Sequence, residues 1–241
     1  MARYVMKFGG TSLADAKRLY RAAEKLADLR NEGHEVIGVL SARAGETDAL
    51  LARAREICPE AGGRELDALL SVGEICSSSL CALALERMGV PVVSLTGWQM
   101  GLRTDDSFQN ARVLGLAGNR IFRELKQGKV ILAAGFQGTD EKGNITTLGR
   151  GGSDTTAVAL AAFTQAEGCI ICTDVDGVYD RDPAKYPDAV KYDRLSYEQM
   201  LELCRRGAKV LHDRSVELAQ KYRVPILVCS AFENQPGTVI S

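Results

Sequence analysis

Short, nearly continuous apolar runs alternate along this chain with longer stretches in which apolar residues return every three or four positions. Runs at 5–8, 35–40, 92–95, 130–134, 170–173, 226–230 and 238–240 are rich in Val, Ile and Leu and bounded by Gly or polar residues. That is the pattern of strands buried on both faces. After the first run, Ala16, Leu19, Tyr20, Ala23, Leu26 and Ala27 keep helical spacing and Gly33 follows them, which predicts a helix. Similar spacing predicts helices over 48–58, 64–88, 119–127, 153–166, 197–206 and 215–222, the longest with a bend expected at Gly73. Asn119 is the expected N-cap of its helix and Gly128 its stop, while Ser153 and Asp154 suit the cap of the next. Residues 140–144 predict a hairpin tip, and 174–191 read as a loop carrying two of the six prolines. Strands alternating with helices predict an α/β fold with a largely parallel sheet.

Charge and cysteine usage narrow the class. The formal net charge of −1 leaves no electrostatic footprint for nucleic acid or an acidic membrane. No apolar run approaches the roughly 18 residues expected of a membrane helix. The seven cysteines lie mostly in apolar runs, and Lys7 interrupts the first run where a secretory signal would be apolar. A reducing, cytoplasmic setting is therefore expected. Cys169 and Cys172 have CxxC spacing, yet no second CxxC and no nearby His completes a metal set. They read as small hydrophobes in a buried strand. The two histidines, His34 and His212, read as solvated or packed side chains.

Three glycine-containing turns carry the candidate chemistry. Lys7-Phe8-Gly9-Gly10-Thr11-Ser12 joins the first strand to a helix. Glycines let backbone N–H groups approach an anion, a helix N-terminus favours negative charge, and Lys7 adds a cation. The motif is neither a Walker A loop nor GxGxxG. The stretch 146–156 (TTLGRGGSDTT) places three glycines, Arg150 and several hydroxyls at a helix start. Capping alone needs neither the Gly pair nor Arg150, so an anion site is indicated. The third turn, 173–179 (TDVDGVY), follows a buried strand, where ligands of open α/β sheets collect.

Taken in order, these and other segments resemble the catalytic domain of the aspartokinase family. They are KFGGTS at 7–12, SARAGETD at 41–48, GEICS at 73–77, LTGWQMG at 95–101, GFQGTD at 135–140 and ITTLGRGGSDTTAVALA at 145–161. TDVDGVY at 173–179, SYEQMLEL at 196–203, GAKVLH at 207–212 and RSVELA at 214–219 complete the set, which covers nearly the whole chain. The resemblance implies the amino-acid kinase fold, an open, mostly parallel sheet sandwiched between helices in three layers. It implies an aspartate-binding lobe over about 1–165, an ATP-binding lobe over about 166–241, and phosphorylation of the aspartate side-chain carboxylate with ATP and Mg²⁺. It further implies the first step toward lysine, threonine and methionine, and a homodimer. Carried over residue by residue, Lys7 touches the transferring phosphate, with Gly9 and Gly10 lining it and Asp154 organising the lysine. Ser41, Thr47, Glu74, Arg150, Gly151, Gly152 and Ser153 hold aspartate, Glu74 at the α-amino group and Arg150 at a carboxylate. Thr173, Asp174, Tyr179, Lys209 and Val210 form the nucleotide side.

The chain departs from that pattern in places. Ala184 stands where the family usually has an Arg that contacts ATP phosphates, with Arg181 and Lys185 as candidate substitutes. Arg43 replaces a more usual Met or Ser, and Asp213 replaces a Pro. The sequence stops at Ser241, where relatives usually continue into regulatory ACT domains, so no feedback inhibition in cis is expected. Two alternatives follow: a kinase of another amino-acid carboxylate, suggested by Arg43, and a non-catalytic ligand-sensing subunit, suggested by Ala184 and the missing region.

Overall fold

The computed structural model describes every residue of the chain except Lys209 and Asn234. The expected runs form strands β1 (Arg3–Phe8), β2 (Glu35–Leu40), β3 (Val92–Leu95), β6 (Val130–Ala134), β9 (Gly168–Thr173), β11 (Ile226–Ser230) and β12 (Thr238–Ile240). The pattern did not indicate β4 (Leu102–Thr104), β5 (Val113–Leu116) or β10 (Arg194–Leu195), while β7 (Gln137–Thr139) and β8 (Ile145–Thr147) flank the hairpin tip expected at 140–144. The main sheet runs β10-β12-β11-β9-β1-β2-β6-β3, and a second, four-stranded sheet runs β5-β4-β7-β8. In the main sheet only the β11–β12 pairing is antiparallel.

Side chains of a strand point alternately to its two faces, and here both faces are apolar. Val5, Ile37, Val39, Ile131 and Ala133 enter one core, and Met6, Phe8, Val36, Leu40, Val130 and Leu132 enter the other. The first core is covered by α7 (Gly152–Phe163), α8 (Tyr197–Arg205) and α9 (Asp213–Tyr222). The second is covered by α1 (Ala16–Asn31) and α4 (Val72–Arg87). The result is the expected three-layer α/β arrangement. The order β9-β1-β2 also makes β1 the point from which the sheet grows in both directions. Ligands of open α/β sheets bind at the carboxyl ends beside such a point.

The remaining helices are α2 (Glu46–Ile57), α3 (Gly63–Leu70), the short α5 (Gly97–Met100) and α6 (Asn119–Lys126). Three local expectations need correction. The stretch 64–88 is not one helix bent at Gly73. It is α3 and α4, separated at Ser71, whose Oγ donates to the Ala68 carbonyl. The caps of α6 and α7 are Gly118 and Gly151, both left-handed, so Asn119, Ser153 and Asp154 lie inside the first turns. Finally, the stretch Gly63–Arg87 is long and apolar enough by composition to cross a membrane. It packs instead against α1, β3 and β6, and the carboxylates of Asp67 and Glu74 are buried within it. Buried carboxylates met by protein hydrogen bonds belong to a globular core.

Candidate functional site

Strand periodicity places the central lysine. Val5 faces the α7 core, so Lys7, two residues on, faces the same side at the carboxyl end of β1. There its ammonium lies 2.6 Å from Asp154 in the first turn of α7, and both side chains are nearly buried. An acidic residue in the first turn is favoured by the helix dipole, and the pair holds the lysine in one place.

A cleft of about 480 Å³ opens over this pair. It is lined by Lys7, Gly9, Gly10, Ser41, Thr47, Glu74 and the turn 150–154, so the residues expected to hold aspartate and the transferring phosphate converge. Arg150 is exposed on the turn. Gly151 bears φ +69°, and a Cβ there would lie 2.3 Å from the His212 Cβ. Only glycine fits both the left-handed backbone and the approach of α9. Glu74, in the first turn of α4, is 3% exposed. One of its oxygens accepts the Ala42 N–H at 3.0 Å, whereas Oε2 has no hydrogen-bond partner among the described residues. Burial pushes its carboxyl up to about 8, against the Ala42 hydrogen bond, which pulls it down. A buried, unpartnered carboxyl oxygen on a cleft wall is suited to a cationic ligand.

A second cleft, about 510 Å³, lies beyond the end of β9 and is lined by Thr173, Asp174, Tyr179 and Val210, four of the five residues expected on the nucleotide side. Lys209, the fifth, lies outside the described residues. Arg181 and Lys185 both line this cleft beside the position of Ala184, together with Arg206, which the sequence did not single out. The turn is braced by Asp176: the Tyr179 hydroxyl donates to it at 2.8 Å and the Lys191 ammonium at 2.9 Å. Burial alone would raise the Asp176 carboxyl, but Lys191 and Tyr179 outweigh burial and hold it below the usual carboxylate range. The two clefts lie at the carboxyl ends of neighbouring strands, because β1 and β9 pair with Phe8 beside Cys172 and the Gly9 N–H donates to the Cys172 carbonyl at 3.4 Å.

Other sequence candidates fall away from the site. Arg43 donates to the Ala14 carbonyl and does not line the first cleft. Cys169 and Cys172, three apart on β9, face opposite cores and cannot share a ligand. Cys172 instead faces Cys229 across the sheet, with Sγ atoms 3.9 Å apart. Sequence reasoning missed Gln109, Phe136 and Thr147, which also line the first cleft. Phe136 and Thr147 lie inside segments already singled out, 135–140 and 146–156, whereas Gln109 sits in a loop outside all of them.

An aspartate kinase of Stutzerimonas stutzeri (strain A1501) is 48% identical over all 241 residues, which span 58% of that protein. A solved aspartate kinase from Synechocystis superposes with a TM-score of 0.89 at 40% identity, over 99% of this chain and 39% of the other. E. coli aspartokinase III, solved in complex with aspartate and ADP, gives 0.89 at 30% identity, over 98% and 64%. The chain thus spans about three fifths of the length of the curated relatives it matches. Residues 2–230 match the sequence pattern of the amino acid kinase family. With the three-layer sheet, the lysine at the end of β1 and the glycine turn before α7, that match establishes that the chain belongs to the amino acid kinase family.

Proposed function

We propose that this chain transfers the γ-phosphoryl group of ATP to the side-chain carboxylate of L-aspartate, giving 4-phospho-L-aspartate and ADP. The observation that carries this reading is the first cleft. It combines a buried Glu74 with an unpartnered oxygen, Lys7 fixed by Asp154, and Arg150 on a glycine turn. Together they complement a small molecule that carries an ammonium group and carboxylates and sits beside a phosphate. The aspartate kinases among its relatives support the same substrates.

In this reading Glu74 meets the α-ammonium group and Arg150 a carboxylate, with Ser41, Thr47 and the 151–153 turn completing the pocket. A carboxylate with an ordinary pKa of about 3.9 is already ionised at neutral pH, so the nucleophile needs no general base. Its oxygen attacks the γ-phosphorus while the bond to the β–γ bridging oxygen breaks, and ADP leaves with that electron pair. The residues' task is to bring two anions together. Lys7 neutralises charge on the transferring group, and the Gly9–Gly10 turn lines it. Thr173, Asp174, Tyr179, Lys209 and Val210 hold the nucleotide, with Arg181, Lys185 and Arg206 the cations available to its phosphates. Among the described residues no three carboxylate, imidazole or thiol groups converge. Mg²⁺ would be carried mainly by the nucleotide phosphates and water, where it would supply charge neutralisation. We accordingly read 1–165 as the aspartate lobe and 166–241 as the nucleotide lobe.

A cytoplasmic setting, a place at the start of lysine, threonine and methionine synthesis, and a homodimer belong to the same proposal. Support for the dimer comes from the outward face of α4, where Val72, Leu80 and Leu83 are 48%, 38% and 61% exposed. Such a stripe suits pairing with its own copy, and sedimentation of Leu83→Glu beside the parent tests it.

The functional test traps the acyl phosphate with hydroxylamine. Hydroxamate should form with ATP and L-aspartate, and far less with glutamate or N-acetylated acids. Equal product from glutamate, or none from aspartate, would overturn the substrate assignment.

A further inference from the structure

Asp67, on α3, is wholly buried yet lies outside both clefts. Its carboxylate is met entirely by hydrogen-bond donors from two distant segments. The Gln109 N–H donates to both oxygens at 3.1 Å. The Thr147 N–H donates to Oδ2 at 2.6 Å and the Thr147 hydroxyl to Oδ1 at 3.0 Å. The Gln109 side-chain amide also donates to Oδ1, in an orientation set by Gly63, which accepts from Nε2 at 2.9 Å and donates to Oε1 at 3.2 Å.

Both partners line the first cleft. Gln109 is held with φ +60°, an unusual backbone conformation for a residue with a side chain. Its carbonyl oxygen lies 2.7 Å from the point a Cβ on Gly149 would occupy, against the turn that carries Arg150. Thr147 is two residues before that turn, and its carbonyl accepts the Ala111 N–H at 3.0 Å, closing the loop back on 109–111. Asp67 is thus the common acceptor at which two walls of the cleft are joined.

We propose that Asp67 is a positioning residue. By accepting from Gln109 and Thr147 it sets the wall bearing Gly149 and Arg150, and so the affinity for the carboxylate substrate. This inference rests on the aspartate kinase reading. An amide in place of the carboxylate turns one acceptor into a donor. At Oδ2 it would face two backbone N–H groups, and at Oδ1 the Gln109 amide that Gly63 holds in place.

The test compares Asp67→Asn and the milder Thr147→Val with the parent in the hydroxamate assay, measuring KM for aspartate, KM for ATP and kcat, with a thermal melt of each protein. Asp67→Asn should raise KM for aspartate by roughly tenfold or more, since small displacements of positioning groups are costly. KM for ATP should stay within about twofold in the same comparison, and Thr147→Val should move in the same direction by less. If Asp67→Asn fails to fold, Thr147→Val carries the comparison. Folded variants with an unmoved aspartate KM, or with both KM values raised together, would overturn the inference while leaving the kinase reading intact. A parent inert toward aspartate would overturn both.

Discussion

Lys7 and Glu74 illustrate how a single side chain takes its properties from its surroundings. Lys7 reaches the site because a two-residue period puts it on the α7 face at the end of β1, where Asp154 pairs with it. Truncating a preorganised cation at a site of developing charge costs on the order of 100-fold or more in kcat. Lys7→Ala should show that loss of hydroxamate formation while retaining a cooperative melt, and Asp154→Ala should follow it by freeing the lysine. Full activity in both would remove them from the mechanism. Glu74 makes a pH prediction. Its carboxyl, ordinarily near 4.5, is pushed up to about 8 by burial. The folded chain therefore holds the Glu74 proton more tightly than the unfolded chain does. The stabilisation is complete below about 4.5 and is lost as pH rises through about 8. Glu74→Gln should flatten this dependence, so that urea midpoints of parent and variant diverge between pH 6 and pH 9 in the variant's favour. A parent whose midpoint does not fall relative to the variant over that range would contradict the assignment.

Elements were legible where their burial was uniform. Strands β1, β2, β6 and β9 have apolar side chains on both faces, so each reads as a nearly continuous run, broken in β1 by Lys7. The second sheet was not legible. Its strands are three or four residues long and contain Gly115 and Gly138, and its two local pairs, β4–β5 and β7–β8, are joined through Arg103 and Thr139, distant in sequence. The division of α3 from α4 was hidden for the opposite reason, since the apolar pattern runs through Ser71 without a break. At the glycine turn the identity of the residues was legible and their purpose was not. Gly151 is required by the side chain of His212, the N-cap of α9 61 residues later, as much as by its own φ of +69°. Gly151→Ala should therefore cost about 1–3 kcal/mol of stability from backbone strain alone. It should also displace Arg150, so that urea unfolding and aspartate KM shift together. An alanine variant equal to the parent in both would show that α9 yields at this point.

At the scale of the molecule, one sheet serves two cores, and the clefts open at the carboxyl ends of its central strands β1 and β9. Leu132 is fully buried on β6, between β2 and β3. Leu132→Ala should destabilise by about 2–5 kcal/mol and shift the urea transition as a single step, because α1, α4 and the sheet share that core. A local loss with an unmoved global midpoint would mean the two layers unfold separately. Sequence alone determined the layer architecture, through the alternation of doubly buried runs with amphipathic helices, and marked the candidate turns, through glycines beside a lysine and an arginine. These signals are local: each lies within a few residues of the chain. The tertiary structure decided what those turns face. It brought Lys7 to Asp154, left an oxygen of Glu74 unpartnered on the cleft wall, removed Arg43 from the site, and joined Gln109 to Thr147 through Asp67. Those relations depend on desolvation and on contacts between segments 29 to 147 residues apart, and neither is written in the local pattern of residues.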